Sequence, residues 1–364
     1  MKKFLFIALL LGSGFYGFAQ TFSLIADSIR KYRSVPGLVY AVFTHDKIVD
    51  TSCSGMRVFR SRENIRYNDH FYVGSNSSMF TSFIAARIVE SGKIQWNSSL
   101  ISVLPELNGK IIKLYHRITL QQLLFQCGGI PEYPADSDYL KLNLQLTGKN
   151  ITEQRKNLVQ LALKRTPLLM LDSSMATYSP ASIIVATAML EKVTGKSWEE
   201  LVELYINKPL NTHAATVQSR IPDSLQATGH SYRSGSLIVE TQNPAERQVI
   251  AAAPATGIDI TLRDYIVFLQ ELMKGLQNKK ALINNTSAEK MLFGLPGHAM
   301  GWENETWRNL NISYALGKDA FFSCYVEIIK EKNIAIVVLC NSGPSNGRSV
   351  ALNFAQLMRN YYTR

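Results

Sequence analysis

The sequence predicts an α+β fold, with β strands at both ends of the chain and a mainly helical stretch between them. Residues 37–43 and 48–54 are short segments rich in apolar and β-branched residues, separated by a polar turn. Residues 320–329 and 333–340 form a second pair of the same kind, and an amphipathic helix is predicted over residues 345–362. Strand pairs at opposite ends indicate a discontinuous arrangement of the chain.

The middle of the chain has the apolar spacing of helices. This spacing predicts helices at residues 79–90, 158–163, 181–191 and 198–205. We therefore expect residues 20–72 and 255–364 to form an α/β part and residues 73–254 to form a mainly helical part. No internal repeat interrupts this organisation.

The first residues have the pattern of a signal peptide. Lys2 and Lys3 precede an apolar run over residues 4–11, and the sequence Gly-Phe-Ala at 17–19 offers a cleavage site before Gln20. The run is too short for a membrane span. The sequence thus predicts an exported protein, periplasmic or extracellular, with no transmembrane anchor after cleavage of residues 1–19.

The chain is basic. Its formal net charge is +11, which falls to +9 when Lys2 and Lys3 leave with the signal peptide. Because no long Lys/Arg run with interleaved aromatic residues occurs, we predict a solvated basic surface and no nucleic-acid partner.

The octet at residues 71–78, Phe-Tyr-Val-Gly-Ser-Asn-Ser-Ser, has the pattern of a nucleophile site. A short apolar strand meets Gly74 and Ser75, and the helix predicted at residues 79–90 follows at once. Ser75 would then stand at a helix N-terminus, where backbone N–H groups and the helix dipole favour negative charge. Ser78 lies one helical turn further on, on the same face.

Four further blocks extend a resemblance to one family. They are QLLFQCGGIPEY at 122–133, YSP at 178–180 with VTGKSW at 193–198, PATGIDITLRDYIVF at 254–268 and AIVVLCNS at 335–342. In this order they resemble the group of class C β-lactamases, D-alanyl-D-alanine peptidases and esterases within the serine β-lactamase-like and penicillin-binding-protein family. The resemblance implies a β-lactamase/transpeptidase-like fold, an antiparallel sheet flanked by helices with an inserted mainly helical domain.

The resemblance also implies a site with several members missing. Ser75 matches the nucleophile and Tyr178 the assisting tyrosine, while the N–H groups of Ser75 and Lys318 match the oxyanion hole beside Gly317. The residues that depart from the family motifs are Ser78 for the lysine base, Pro180 for asparagine, and Ala315 and Leu316 for the polar strand motif. A hydroxyl cannot replace the lysine as a proton acceptor near neutral pH.

The surviving residues also have structural explanations. Ser75 could be a helix N-cap, Tyr178 a core or cleft tyrosine, and Gly317 a packing glycine. We favour the packing explanation for Gly317. For Trp302 and Trp307, packing is favoured over a role in lining a ligand cleft.

The cysteines and histidines predict neither a metal site nor a cofactor. Cys324 and Cys340 could lie opposite each other across the C-terminal hairpin, but directly opposed strand positions bridge poorly. We favour free thiols for all four cysteines, Cys53, Cys127, Cys324 and Cys340, and a reactive thiol at Cys127 is the alternative. The six histidines are scattered and form no ligand pair.

Three functions remain open from the sequence. The favoured one is an exported pseudoenzyme that uses the family's cleft to bind a small-molecule, acyl-ester or peptidoglycan-type ligand. The second is an active serine hydrolase, an esterase or a cell-wall peptidase, acylated at Ser75 with a non-standard base. The third is a structural envelope component. A base within reach of Ser75 would favour the hydrolase. An open cleft without such a base would favour the pseudoenzyme, and a cleft filled by apolar side chains would favour the structural component.

Overall fold

A computed structural model describes residues 22–134, 142, 146–168, 177–216, 226–240 and 249–364. The predicted signal peptide at residues 1–19 lies outside the described residues. The first described element is a helix over residues 22–32, here α1.

The main sheet has six antiparallel strands and joins the two ends of the chain. Its strands are β1 (Gly37–Phe43), β2 (Ile48–Gly55), β8 (Glu303–Trp307), β9 (Leu310–Lys318), β10 (Ser323–Ile329) and β11 (Ile334–Cys340), in the order β2-β1-β11-β10-β9-β8. Strand β1 pairs with β11, so the first strand of the chain lies beside the last. The two strand pairs predicted from the sequence are confirmed, although β10 begins three residues later than expected.

The cysteine placement expected across the C-terminal hairpin is wrong by one residue. In the register of β10 and β11, Cys340 faces Ser323 and Cys324 faces Leu339. Since neighbouring strand positions point to opposite faces, Cys324 and Cys340 belong to the two different apolar clusters on either side of the sheet. All four cysteines are free thiols.

Two smaller sheets complete the β structure of the described residues. The first orders β3 (His70–Tyr72), β7 (Ile258–Thr261) and β4 (Ala215–Thr216), and the second is a hairpin of β5 (His230–Arg233) and β6 (Ser236–Val239). Strand β3 leads directly into the turn that bears Ser75, so its pairing with β7 fixes where that turn lies.

The helices of the described residues lie mainly in the middle of the chain. They are α2 (Ser77–Glu90), α3 (Leu100–Val103), α4 (Leu120–Leu124), α5 (Ile151–Ala162), α6 (Pro180–Thr194), α7 (Trp198–Val202), α8 (Lys208–Leu210), α9 (Ala253–Thr256), α10 (Leu262–Leu276), α11 (Asn285–Phe293) and α12 (Gly347–Tyr362). The predicted helices correspond to α2, α5, α6, α7 and α12. Helix α7 continues through a π turn at Glu203–Asn207.

Apolar side chains are buried on both faces of the main sheet. The larger cluster lies between the sheet and the helical part and contains the buried face of α2, including Phe80 and Phe83. The smaller one lies between the sheet and the terminal helices, where Phe22 and Phe354 meet edge to face at 6.4 Å. The antiparallel sheet flanked by helices is thus confirmed.

A buried charged network ties the helices of the middle part together. The Arg155 guanidinium on α5 pairs with Glu191 on α6 and lies 2.9 Å from a Glu199 carboxylate oxygen on α7. Glu191 also accepts the backbone N–H of Trp198 at 2.9 Å. Because each charge in this network has a partner, burial of Arg155 is tolerated.

Candidate active site

A cleft of about 440 Å³ lies between the end of β9 and the helical part of the chain. Its volume is in the range of small-molecule sites. The residues that the sequence analysis placed at the site and that line the cleft are Ser75, Ser78, Tyr178, Ala315 and Leu316. Trp302 also lines it at 3 % exposure, so it combines the packing role that was favoured with the lining role that was the alternative. The structure thus brings together side chains that are up to 241 positions apart in the sequence.

Ser75 lies in a tight turn and does not cap a helix. A 3₁₀ turn over Gly74–Asn76 runs directly into α2, and no side chain caps the N-terminus of either element. The Ser75 hydroxyl, partly exposed in the cleft, lies 3.5 Å from the backbone carbonyl oxygen of Leu316. The N-cap explanation of Ser75 is therefore wrong, whereas its expected position ahead of α2 is confirmed.

Ser78 occupies the position of the missing lysine and its hydroxyl is already engaged. Its Oγ donates to the backbone carbonyl oxygen of Ser75 at 2.8 Å. The Gly301 backbone, with φ of +88°, packs so closely that a Cβ there would lie 2.9 Å from Ser78 Oγ. Ser78 is 3 % exposed, so the space beside it is small and closed by backbone.

Gly317 permits close contact between β9 and the Ser75 turn. A Cβ at this position would lie 2.1 Å from the carbonyl oxygen of Val73, far below any real contact distance. This supports the packing explanation favoured from the sequence. The contact places the end of β9, including the Lys318 backbone, beside the Ser75 turn. An oxyanion hole from the N–H groups of Ser75 and Lys318 stays a prediction, and the Lys318 side chain lies outside the described part.

Tyr178 is exposed in the cleft and is held from both sides by one residue. Gln126 accepts the Thr177 N–H on its backbone oxygen at 3.1 Å and the Ser179 N–H on its side-chain oxygen at 2.6 Å. Tyr178 is 45 % exposed, which identifies it as a cleft tyrosine and not a core one. Pro180 is buried in the first turn of α6, where a missing N–H costs nothing.

The Gln126 backbone ends helix α4 in a Schellman motif. Gln126 N donates to the Leu123 carbonyl at 3.0 Å, and Cys127 N donates to the Gln122 carbonyl at 2.9 Å. Gln126 has a φ of +60° at the position that usually takes glycine. The sequence analysis missed Gln126. Its signal was a non-glycine residue just after a short helix, which is weak without coordinates.

His298 is the second cleft residue that the sequence analysis missed. It lines the cleft with Ser75, and its Nε2 lies 3.3 Å from Cys127 Sγ, 171 positions away. Burial lowers the pKa of His298, while a hydrogen bond to the Pro296 backbone carbonyl opposes that shift. Because Nε2 faces Cys127, the other ring nitrogen is left for Pro296. Both nitrogens are thus engaged, and neither is available to Ser75 in this conformation.

The described part of the chain was also compared with the patterns of metal sites and of membrane-spanning helices. Among the described residues, His, Cys, Asp and Glu side chains form no group of three or more suited to a metal ion. In the same part of the chain, no helix is both long and apolar enough to span a membrane.

The comparisons with known proteins identify a family and a fold. A family model described as Beta-lactamase matches residues 25–358. The octameric penicillin-binding protein homologue from Pyrococcus abyssi superposes with a TM-score of 0.74 at 19 % identity, over 95 % of this chain and 77 % of that one. The class C beta lactamase from Rhodobacter sphaeroides gives a TM-score of 0.70 at 18 % identity, over 93 % of this chain and 99 % of that one.

A curated relative matches a shorter stretch. The teichoic acid D-alanine hydrolase of Staphylococcus aureus (strain MRSA252) is 23 % identical over 213 residues, covering 57 % of this chain and 48 % of that protein. The chain matches a little under half the length of the first curated relatives.

Proposed function

Because this chain belongs to the Beta-lactamase family, we propose that it is an exported, catalytically impaired serine-hydrolase homologue that binds a ligand in its cleft. The observation that carries the proposal is the state of Ser78. At the position where the family's chemistry needs a lysine base, its hydroxyl donates to the Ser75 backbone and no amine stands there. Loss of a general base typically lowers a rate ~10²–10⁴-fold.

Two further losses support the same proposal. Ala315 and Leu316 line the cleft where the family motif carries polar groups that hold the substrate's carboxylate, and Pro180 replaces the amide that reads a peptide-like carbonyl. The cleft itself remains open at about 440 Å³ and keeps Tyr178 exposed within it. An open cleft that keeps a tyrosine exposed beside Ser75 favours binding over a purely structural role.

The ligand class we propose is a small acyl-ester or peptidoglycan-type compound. The family fold and the hydrolase named among the relatives, which acts on D-alanine groups of teichoic acid, support this class. The same relative supports export to the cell envelope, in agreement with the predicted signal peptide.

One observation favours an active serine hydrolase as the second candidate. The Ser75 hydroxyl, Tyr178 and His298 line the same cleft, so a rotation of the His298 ring away from Cys127 would release an imidazole there. In that case Ser75 is acylated and His298 or Tyr178 acts as the non-standard base.

The experiment is intact-protein mass spectrometry of the mature chain after exposure to a fluorescent penicillin and to a fluorophosphonate. The Ser75→Ala variant is the matched control, and circular dichroism shows that both proteins are folded. We expect no stoichiometric adduct on either protein. An adduct of one equivalent that disappears in Ser75→Ala would establish the hydrolase candidate and overturn the impaired one.

A further inference from the structure

A thiol–imidazole pair stands at the edge of the cleft, where His298 is a lining residue and Cys127 lies behind it, and the impaired-hydrolase proposal gives this pair no role. Cys127 Sγ and His298 Nε2 are 3.3 Å apart, and His298 is itself a lining residue of the cleft. Cys127 is 9 % exposed, and its Sγ also lies 3.3 Å from the Phe125 backbone carbonyl, which competes with the imidazole for the S–H proton. A nucleophile, a base within hydrogen-bond reach and a third group that orients the base form the arrangement of activated thiols.

Two rigid turns hold the pair in place. On one side, the Schellman motif at the end of α4 fixes the Cys127 backbone through its bond to the Gln122 carbonyl. On the other side, His298 ends the sequence Leu-Pro-Gly-His at 295–298, and Gly297 has a φ of +80°, as a type II turn requires. Asn304 N donates to the Gly297 carbonyl at 2.9 Å and ties this turn to β8.

The imidazole is neutral and oriented, so its nitrogen facing Cys127 can accept a proton. Burial favours this neutral form and for the same reason makes the ring a weaker base, while the Pro296 carbonyl orients the ring through the other nitrogen. Two charged side chains stand near the pair. Glu303 lines the same cleft with its carboxylate bound by a tyrosine hydroxyl at 2.8 Å, and the Lys290 amine lies 5.8 Å from the centre of the neighbouring Phe125 ring.

The other thiols of the chain have no comparable partner for ionisation. Burial raises the pKa of Cys53 and of Cys324 to about 12, and it also raises the pKa of Cys340. Because the thiolate and not the thiol is the nucleophile, these three cysteines provide internal controls within the same protein.

We propose that Cys127 and His298 form a reactive thiol site that takes small disulfides and forms a mixed disulfide beside the cleft. The S–H proton passes to His298 Nε2, the Cys127 sulfur attacks one sulfur of the disulfide, and the S–S bond breaks. The second sulfur leaves as a thiolate and takes the proton back from the imidazolium. This exchange needs no oxyanion donors, unlike attack on a carbonyl.

The test uses 2,2′-dipyridyl disulfide on the mature chain, with release of pyridinethione followed by absorbance and the adduct measured by intact mass. We expect one rapid equivalent in the wild type, absent in Cys127→Ser and unchanged in Cys53→Ser. In His298→Asn we expect the rapid phase to slow about tenfold at pH 6 and to regain speed as the pH approaches the ordinary thiol range of about 8.5.

Peptide mapping of the wild-type adduct locates the modified cysteine even where a variant fails to fold. An adduct on Cys53 would overturn the proposal, and so would a rate and pH profile in folded His298→Asn equal to those of the wild type. The measurement is independent of any acylation at Ser75, so its outcome and that of the penicillin experiment can be told apart.

Discussion

Replacing Ser78 with lysine tests the proposed cause of impairment at its source. Ser78 lies one helical turn after Ser75 and lines the cleft, and its hydroxyl makes a single 2.8 Å bond to the Ser75 backbone. A lysine at this position would restore an amine beside the nucleophile without altering Tyr178 or the Gly317 contact. We therefore expect Ser78→Lys to gain measurable acylation by a fluorescent penicillin.

The magnitude follows from two opposing effects. A restored general base is worth ~10²–10⁴ in rate, which is about 3–5 kcal/mol of barrier. Against it stand the lost hydrogen bond, about 1 kcal/mol, and overpacking of about 1–3 kcal/mol of stability where the Gly301 backbone closes on Ser78. Together these losses come to about 2–4 kcal/mol of stability, of the same order as the gain in barrier, so the labelling rate is measured on protein that circular dichroism shows to be folded.

The assay is the rate of covalent labelling, measured by intact mass at several pH values. Ser78→Met is the matched control because it has a long side chain without an amine, and Ser75→Ala/Ser78→Lys tests the site of attachment. Labelling of Ser78→Met at the rate of Ser78→Lys would refute the reasoning. A folded Ser78→Lys that gains no labelling would also refute it, since the missing base would then not be what limits Ser75.

Three further predictions concern the structure that supports the site. The Gly317→Ala substitution should lower the free energy of unfolding by about 1–3 kcal/mol, because its Cβ would lie 2.1 Å from the Val73 carbonyl oxygen. Thermal unfolding measures the loss, and a loss no larger than that of an exposed substitution would contradict the prediction. Arg155→Met should lower the free energy of unfolding by about 3–5 kcal/mol, because it removes the charge that pairs with buried Glu191. An unchanged free energy of unfolding in urea would contradict this prediction. Burial raises the pKa of Glu327 from 4.5 to about 7, so the folded state binds a proton that the unfolded chain has released, and stability should fall as the pH rises from about 4.5 through 7. Glu327→Gln should remove up to about 3 kcal/mol of this pH dependence. The measurement is the change in the free energy of unfolding between pH 5 and pH 8.5, taken for the variant and for the wild type. The same change in both proteins would show that the carboxylate is already ionised in the folded state.

The sequence predicted those elements whose pattern is local. Strands β1 and β11 are continuous apolar segments, and α2 and α6 carry their apolar spacing over three or more turns. The short strands β3, β4 and β7 were harder to predict because two to four residues carry little periodic signal. Phe71–Val73 was expected as an extended run, but its pairing with β7, nearly 190 positions later, depends on the tertiary fold.

The family motifs predicted part of the candidate site. The residues that are neighbours only in the folded structure, without a motif of their own, were missed. Ser75, Ser78, Tyr178, Ala315 and Leu316 meet in one cleft as the motifs implied. Cys127 was noted without a histidine near it in the sequence, and the partner lies 171 positions away in a turn with no motif of its own. Gln126 had no signal beyond its place after a short helix.

The three residues that match the family's site do not carry equal weight for function. Gly317 has a sufficient structural reason, because any side chain there would strike the Val73 carbonyl, so its presence says nothing about catalysis. Ser75 caps no helix, and Tyr178 is 45 % exposed, on a segment that the Gln126 bonds hold in place. Neither residue is fixed by a backbone contact of the kind that requires Gly317. The exposure of Ser75 and Tyr178 in one open cleft is therefore a stronger argument for ligand binding than the presence of Gly317. This argument holds even though the lysine base is missing.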